Sequence, residues 1–182
     1  MLDIRPMTDN ELSGVLDVLR AAFTTDSEAR LVAALRADAG YVPALSLVAV
    51  EDGRIVGHVL FTRARIRSAG DVVGELDAKT AGLLCLAPLA VLPERQGAGI
   101  GGALIRKGLE RATALGERMV LVLGHPGYYP RFGFVPAGPR GVCAPVEVTE
   151  EAWMLCELVP GAAREYVGTA VLAAPFDDPE YW

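Results

Sequence analysis

One stretch constrains the fold more than any other: "LAVLPERQGAGIGGALIRKGLERATAL", which runs from Leu89 to Leu115. An apolar run typical of a strand leads through a short polar segment and a cluster of glycines into a helical pattern. Glycine admits left-handed backbone and close approach of a ligand, and a helix N-terminus presents free N–H groups and a positive dipole end. The stretch therefore predicts a strand, a turn and a helix whose junction can hold a phosphate group.

The rest of the chain supplies the elements around this unit. "LDIRP" predicts a first strand, Thr8 or Asp9 caps a first helix, and a second helix runs from about Ser27 to Ala39. Asp52-Gly53 between two Val-rich runs predicts a tight hairpin. The predicted order, β-α-α-β-β-β-α-β-(short α)-β-β, indicates an α/β fold in which a mixed sheet has helices on both faces. The residues expected to face inward from the helix after the glycines are Ala103, Leu104, Leu109, Ala112 and Leu115.

Composition bounds the function classes. The chain has 182 residues and a net charge of −6, so it has the size of one domain and lacks the basic footprint of a nucleic-acid-binding protein. Neither a secretory signal nor an apolar run long enough to span a membrane is visible. Three cysteines without C-x-x-C spacing argue against a disulfide framework or a metal site and favour the cytoplasm. We therefore expect a single domain over residues 1–182, with the residues past about 138 as a candidate C-terminal extension.

The glycines also fit a second pattern. Gly97, Gly99 and Gly102 have the G-x-G-x-x-G spacing of a dinucleotide site. In that fold the glycines follow the first strand directly, and an acidic residue ends the next strand. Here a polar segment separates the strand from the glycines, and the next strand, "VLVLG", is followed by His125. This context argues against a nicotinamide oxidoreductase.

The stretch Gln96-x-x-Gly99-x-Gly101 resembles the Q/R-x-x-G-x-G/A acetyl-CoA signature of the GNAT N-acetyltransferases. The hairpin "SLVAVEDGRIVGHVLF" and the later "YYPRFGF" resemble other parts of that family, so the resemblance covers almost the whole chain and is strongest to its YhbS-like bacterial group. It implies a mixed, splayed central sheet with helices on both faces, and acetyl-CoA as cosubstrate. The implied cofactor-binding residues are Leu89, Ala90, Val91, Gln96, Gly97, Ala98, Gly99, Ile100, Gly101 and Gly102.

Pro88 gives information about its strand that does not depend on the resemblance to a family. Proline cannot donate to a sheet ladder, so in a strand it marks an edge or a bulge. We therefore expect the N–H groups of the next three residues, 89–91, to be partly free. In the family that this chain resembles, the splayed strand pairs with pantetheine, and one of its amides polarises the thioester carbonyl.

The motif "YYPRFGF" implies the acid of the reaction. Tyr129 stands in the Tyr place of the family's Y-x-x-x-G-F motif, and a phenol can protonate the departing thiolate. Tyr128 is the alternative, because the short loop leaves the register open by one residue. The strand "MVLVL" lacks the glutamate that some members use as a base, and Gly102 stands where many have Ser or Thr. His125 at the strand end is therefore the candidate proton relay.

Weaker candidates surround these residues. Arg95, Arg106 and Lys107 could meet CoA phosphates, although solvated helix positions are the simpler interpretation for Lys107. Glu75 and Asp77 could bind a substrate ammonium or be solvated loop acids, and His58 fits a packed or surface histidine of a strand. The resemblance also implies that the first two helices line the acceptor side, through Phe23, Leu31 and Leu35.

The function that these observations imply is transfer of an acetyl group from acetyl-CoA to a primary amine by direct attack. The alternative is a CoA-binding or sensor module without turnover. This alternative remains because the strand "MVLVL" lacks the glutamate that some family members use as a base. The acceptor stays open among amino acids, polyamines, antibiotics, peptide N-termini and lysine side chains, because fold alone does not identify a substrate. We expect no metal, no nucleic-acid partner and no membrane partner, and a homodimer is an option because dimers are common in the family.

Overall fold

The structure is a computed structural model that describes residues 1–68 and 81–181. Its helices are α1 (Leu12–Ala22), α2 (Ser27–Ala37) and α3 (Ile100–Ala114). Its strands are β1 (Leu2–Pro6), β2 (Tyr41–Glu51), β3 (Arg54–Arg63), β4 (Arg65–Arg67), β5 (Leu83–Val91), β6 (Met119–Leu123), β7 (Val135–Pro136), β8 (Val142–Cys143), β9 (Trp153–Glu157) and β10 (Gly168–Val171). In the described part of the chain, one sheet has the order β1-β2-β3-β5-β6-β9-β7, and a smaller sheet has the order β4-β10-β8.

The chain divides into two compact units. The first comprises Met1–Thr62, Ala87–Arg111 and Ala173–Trp182, and the second comprises Arg63–Leu86 and Ala112–Leu172. Strand β5 contributes its first residues to the second unit and its last residues to the first. The expectation that residues 1–182 form a single domain stays a prediction.

The first unit has helices on both faces of its strands, and a β-bulge sets which residue faces which helix. Ala49 of β2 lies opposite Gly57, but the next residue, Val50, lies opposite Ile55, so Val56 is the extra residue. Ile55 therefore contacts α1, where a Cβ on Gly14 would lie 3.0 Å from Ile55 Cδ1. Two residues later in the chain, Gly57 faces α3 on the other side.

Close approach of α3 to β3 fixes the helix that follows the glycine turn. A Cβ on Gly108 would lie 2.3 Å from Phe61 Cε2, so only glycine lets the ring lie against the helix backbone. Leu104 and Ile105 are fully buried on the same helix. The apolar face of α3 thus holds the start of the helix in a defined position beside β3.

The second unit is built around β6. This strand pairs in parallel with β5 at Leu83–Cys85 and in antiparallel with β9 along its whole length. Its first four residues are buried, as expected for a central strand. The strand β7 pairs with β9 on the far side, and β10 joins β4 and β8 into the smaller sheet.

The mixed sheet with helices on both faces is confirmed. The predicted order of elements lacks β4, and it has two strands after β6 where the structure has four. The residue that caps α1 is Glu11, not Thr8 or Asp9 as predicted. Thr8 caps the 3₁₀ turn Asp9–Glu11 that leads into α1, and its N–H donates to the Glu11 carboxylate over 2.8 Å. The prediction for Leu115 was wrong: α3 ends at Ala114, so Leu115 lies in the turn beyond the helix and is 51% exposed. The small sheet β4-β10-β8 was missed, because each of its strands is too short to show a period. No helix of the described residues has the length and apolarity needed to cross a membrane.

Candidate functional site

The turn before α3 is open on its outer side. Gly97 and Gly99 have φ of +77° and +82°, which is left-handed backbone that favours glycine. A Cβ at either position would meet nothing within 4 Å. These glycines are therefore required by the path of the backbone, and the space beside them is free for a ligand.

The turn delivers backbone N–H groups to that space. Gly99 O accepts the Ala103 N–H at 3.0 Å, which makes Gly99 the residue that caps α3. The N–H groups of the next three residues, 100–102, have no acceptor within the helix, as at every helix N-terminus. Gln96 Nε2 donates to Val91 O over 3.1 Å and joins the turn to the end of β5. Together with the helix dipole, this arrangement suits an anion.

Nearby cations of the first unit are already engaged. Arg95 Nη2 lies 2.6 Å from a Glu51 carboxylate oxygen, and Lys107 Nζ lies 3.1 Å from Glu110. Arg106 also has an interaction partner. A role for these three side chains with CoA phosphates stays a prediction, and the backbone of the turn offers the more direct partner for an anion.

Tyr129 lies in the second unit, in the short 3₁₀ turn Tyr129–Phe132 that follows β6. The side chain is buried, and its ring lies against the backbone of Gly124, where a Cβ would be 2.2 Å from Tyr129 Cε2. The ring also makes edge contacts with Tyr128 and Phe134, at centroid distances of 5.3 and 5.6 Å. Three neighbours thus fix the plane of this ring.

Burial also sets the chemistry of Tyr129. Desolvation raises the pKa of its phenol to about 12, with smaller contributions from Tyr128 and Cys85. The same cause raises the pKa of the Cys85 thiol to about 12. At neutral pH both groups therefore keep their protons, and the Tyr129 phenol has a proton to donate.

His125 opens the turn that carries Tyr129. Its carbonyl accepts the N–H of Tyr128 at 2.9 Å and that of Tyr129 at 3.4 Å, and the residue is exposed. The alternative acid, Tyr128, is less buried, and its ring lies under the Arg131 guanidinium at 4.5 Å. Geometry thus brings His125, Tyr128 and Tyr129 into one turn.

Residues expected on the acceptor side have different surroundings. Leu31 lines a cavity of about 220 Å³ in the first unit, whereas Leu35 is fully buried and Phe23 is partly exposed. The other residues that line this cavity are Thr25, Ser27, Glu28, Glu180 and Tyr181.

The remaining candidate residues are a histidine of β3, two acidic residues and any group of side chains that could bind a metal. His58 is packed inside the first unit and is fully buried, which agrees with its interpretation as a strand histidine. Glu75 and Asp77 lie outside the described residues. Among the residues that are described, no group of three or more His, Cys, Asp or Glu side chains could hold a metal ion.

Comparison with known proteins decides the family. The acetyltransferase (GNAT) domain model matches residues 3–137, which is more than half of the chain. The chain belongs to the GNAT acetyltransferase family. A GNAT relative, the uncharacterized N-acetyltransferase YjhQ of Escherichia coli strain K12, is 46% identical over 153 residues, which cover 82% of this chain and 80% of YjhQ.

Two solved GNAT structures agree with this assignment over nearly the whole chain. Escherichia coli YhbS in complex with CoA has a TM-score of 0.86 and 29% identity, and covers 97% of this chain and 92% of YhbS. A GNAT acetyltransferase from Brucella melitensis in complex with acetyl-CoA has a TM-score of 0.76 and 32% identity. The match covers 97% of this chain and 99% of the Brucella chain. The resemblance inferred from the glycine turn is thereby confirmed, and the chain is a GNAT N-acetyltransferase.

Two residues around Tyr129 were not predicted from the sequence. Gly124 contacts the Tyr129 ring, and Arg131 stacks on the neighbouring Tyr128 ring. Gly124 follows a strand, where glycine looks like an ordinary strand end. Arg131 lies inside the quoted motif "YYPRFGF", and its place two residues after Tyr129 was the available signal.

Proposed function

We propose that this GNAT protein transfers the acetyl group of acetyl-CoA to a primary amine by direct attack. The observation that carries the proposal is the open glycine turn before α3, whose free N–H groups suit the CoA pyrophosphate. The pyrophosphate would bind residues 96–102. The CoA and acetyl-CoA complexes of the two solved relatives support the same cosubstrate.

The thioester is proposed to lie along the last residues of β5. The parallel ladder with β6 covers Leu83–Cys85, and β5 continues beyond it to Val91. Pro88 within this segment has no N–H to donate. Along residues 89–91, the backbone amides that point away from β3 are proposed to pair with pantetheine and to polarise the thioester carbonyl.

The chemistry needs two proton movements. The amine nitrogen attacks the carbonyl carbon, the C–S bond breaks, the nitrogen loses a proton and the CoA thiolate gains one. Tyr129 is proposed to supply the proton to sulfur, because burial keeps its phenol protonated at neutral pH. His125, in the same turn, is proposed as the relay that takes the proton from the amine.

The acceptor class is proposed no further than a primary amine, of a small molecule or a peptide. Cytoplasmic location is part of the proposal, since Cys85, Cys143 and Cys156 are all free thiols. A single domain over residues 1–182 and a homodimer are also kept as proposals.

Calorimetric titration with acetyl-CoA tests the cosubstrate, with a matched pair of variants. Gly99 and Gly116 both have φ near +80° and open space for a side chain, but they lie at opposite ends of α3. Gly99→Glu places a carboxylate in the turn and should abolish binding, whereas Gly116→Glu carries the same charge and strain and should bind like the wild type. Absence of wild-type binding at about millimolar acetyl-CoA, or equal binding by both variants, would refute the pyrophosphate site.

Turnover separates this proposal from a CoA-binding module without catalysis. Release of the CoA thiol in the presence of a panel of amino acids, polyamines and lysine peptides is the measurement. An amine that accelerates thiol release and is recovered as its acetyl derivative identifies the acceptor class. Tight acetyl-CoA binding without acetylation of any of these amines would favour the module.

A further inference from the structure

Arg131 holds the turn that carries Tyr129 from its solvent side. Its Nε donates to Tyr128 O over 2.9 Å, and its Nη2 donates to Gly127 O over 3.3 Å. The guanidinium also stacks on the Tyr128 ring at 4.5 Å and lies 5.9 Å from the Phe132 ring. We propose that Arg131 is a positioning residue for acetyl transfer, which fixes the turn and thereby the phenol of Tyr129. This inference rests on the acid role proposed for Tyr129.

The first route from Arg131 to Tyr129 is through the backbone. The carbonyls of Gly127 and Tyr128 directly precede Tyr129, and the turn ends at Gly133, which has φ of +91°. The N–H groups of the same two peptide planes donate to His125 O, and Arg131 supplies both donors on the carbonyl side from one planar group.

The second route is through the Tyr128 ring. One face of this ring meets the Arg131 guanidinium, and the ring is in edge contact with Tyr129, with an angle of 85° between the two planes. The Tyr129 ring also lies against the Gly124 backbone and in edge contact with Phe134. The Tyr128 ring is thus one of the neighbours that fix Tyr129, and it carries the Arg131 guanidinium on one face. Loss of Arg131 would remove this stacking and loosen the ring against which Tyr129 packs.

An arginine is suited to this task in a way that a lysine is not. The planar guanidinium presents several N–H donors in a fixed fork and can stack on an aromatic face while it donates. A lysine ammonium is a point charge that can reach one carbonyl but does not stack as a plane. Arg131 is also exposed, so its removal should leave the buried core of the second unit unchanged.

The primary measurement is fluorine NMR of protein labelled with 3-fluorotyrosine, which needs no acceptor. The chain has five tyrosines, and the resonance of residue 129 is the one that disappears in Tyr129→Phe. In Arg131→Ala we expect this resonance to shift. We also expect the pKa of the residue 129 phenol, read from the same resonance, to fall towards that of free fluorotyrosine, because the ring becomes more exposed. Arg131→Lys should restore it only in part. The control Arg164→Ala removes an exposed arginine of the same unit and should leave the resonance unchanged.

The second measurement separates positioning from binding. Thiol release from acetyl-CoA with n-butylamine as acceptor should show kcat lowered about 10- to 100-fold in Arg131→Ala, with KM for acetyl-CoA unchanged. A wild-type resonance of residue 129 in Arg131→Ala would overturn the inference, and so would an unchanged kcat. If Tyr129→Phe keeps full activity, the acid role fails, but the NMR comparison still decides whether Arg131 positions the ring. Circular dichroism of Arg131→Ala checks the fold, and Arg131→Lys repeats both measurements if the alanine variant unfolds.

Discussion

His58 makes a prediction about the pH dependence of stability that can be worked from its surroundings. It lies on β3 opposite Val48, fully buried, with Nε2 3.2 Å from Ser46 Oγ. Its Nδ1 has no hydrogen-bond partner among the residues that the structure describes. Burial, and the nearby positive charge of Arg36, lower the pKa of His58 to about 3. The folded protein therefore keeps this imidazole neutral at pH values where an unfolded chain would protonate it.

The sign and the size follow from linkage. Below about pH 6.5 the unfolded chain binds a proton at His58 and the folded chain does not, so the free energy of unfolding falls as the pH falls. The contribution of neutral His58 to the free energy of unfolding is fully present above about pH 6.5. It is lost progressively as the pH falls towards the pKa of His58 in the folded protein, about 3. Between about pH 7.5 and about pH 5 the expected loss is about 2 kcal/mol. Glu11, whose bond to Arg5 lowers its pKa to about 2, loses its contribution only below this window.

Urea denaturation followed by far-ultraviolet circular dichroism measures this loss. The chain has two histidines, so His58→Gln and His125→Gln make a complete set of controls. In His58→Gln an amide can still bond to Ser46 but does not titrate, and its stability should be flat across the window. His125→Gln replaces the other, exposed histidine in the same way and is the matched control. A flat wild type, or a slope that persists in His58→Gln, would show that the imidazole is not buried neutral.

Three further substitutions test the packing and the site. Gly108→Ala would place its Cβ 2.3 Å from Phe61 Cε2, so urea denaturation should show a loss of about 1–3 kcal/mol, and an unchanged midpoint would contradict this close approach. Gly124→Ala pushes on the Tyr129 ring and should lower kcat about 10- to 100-fold with KM for acetyl-CoA unchanged, in steady-state thiol-release assays; a normal kcat would mean that the ring position is not critical. Tyr129→Phe removes the proton donor and should lower kcat about 100- to 10,000-fold in the same assay, and full activity would transfer the acid role to Tyr128 or to water.

Local patterns explain what could be predicted from the sequence. The glycine turn, α3 and the buried run of β6 each depend on neighbours within a few residues, so period and turn chemistry were sufficient. The family signature at Gln96 and Gly99 then identified the cosubstrate class. The helix boundary near Leu115 was off by one residue, and that shift was enough to move a leucine from the interior to the surface.

Features that depend on contacts between distant residues could not be predicted from the sequence. Strand β4 has three residues and pairs with β10, which lies about a hundred residues later in the chain, so neither strand shows a period of its own. The neutral state of His58 depends on its burial in the folded chain and on Arg36 of α2, which is distant in sequence. Arg131 donates to two backbone carbonyls and stacks on a ring face, and neither contact is visible in a spacing pattern. These features arise only when the chain is folded.

The bulge at Val56 has a consequence for how chains of this family should be aligned. Because Val56 is the extra residue, Ile55 and Gly57 face different helices although they are two positions apart. A relative that lacks the bulge would need one residue fewer in this strand to present the same side chains to the same helices. An alignment without a gap would then match residues from opposite faces of the sheet. A single-residue gap near Val56 in such a relative would show that the same side chains still face the same helices. Residues on the two sides of this gap should therefore be compared with residues on the same face of the sheet, rather than with residues of the same number.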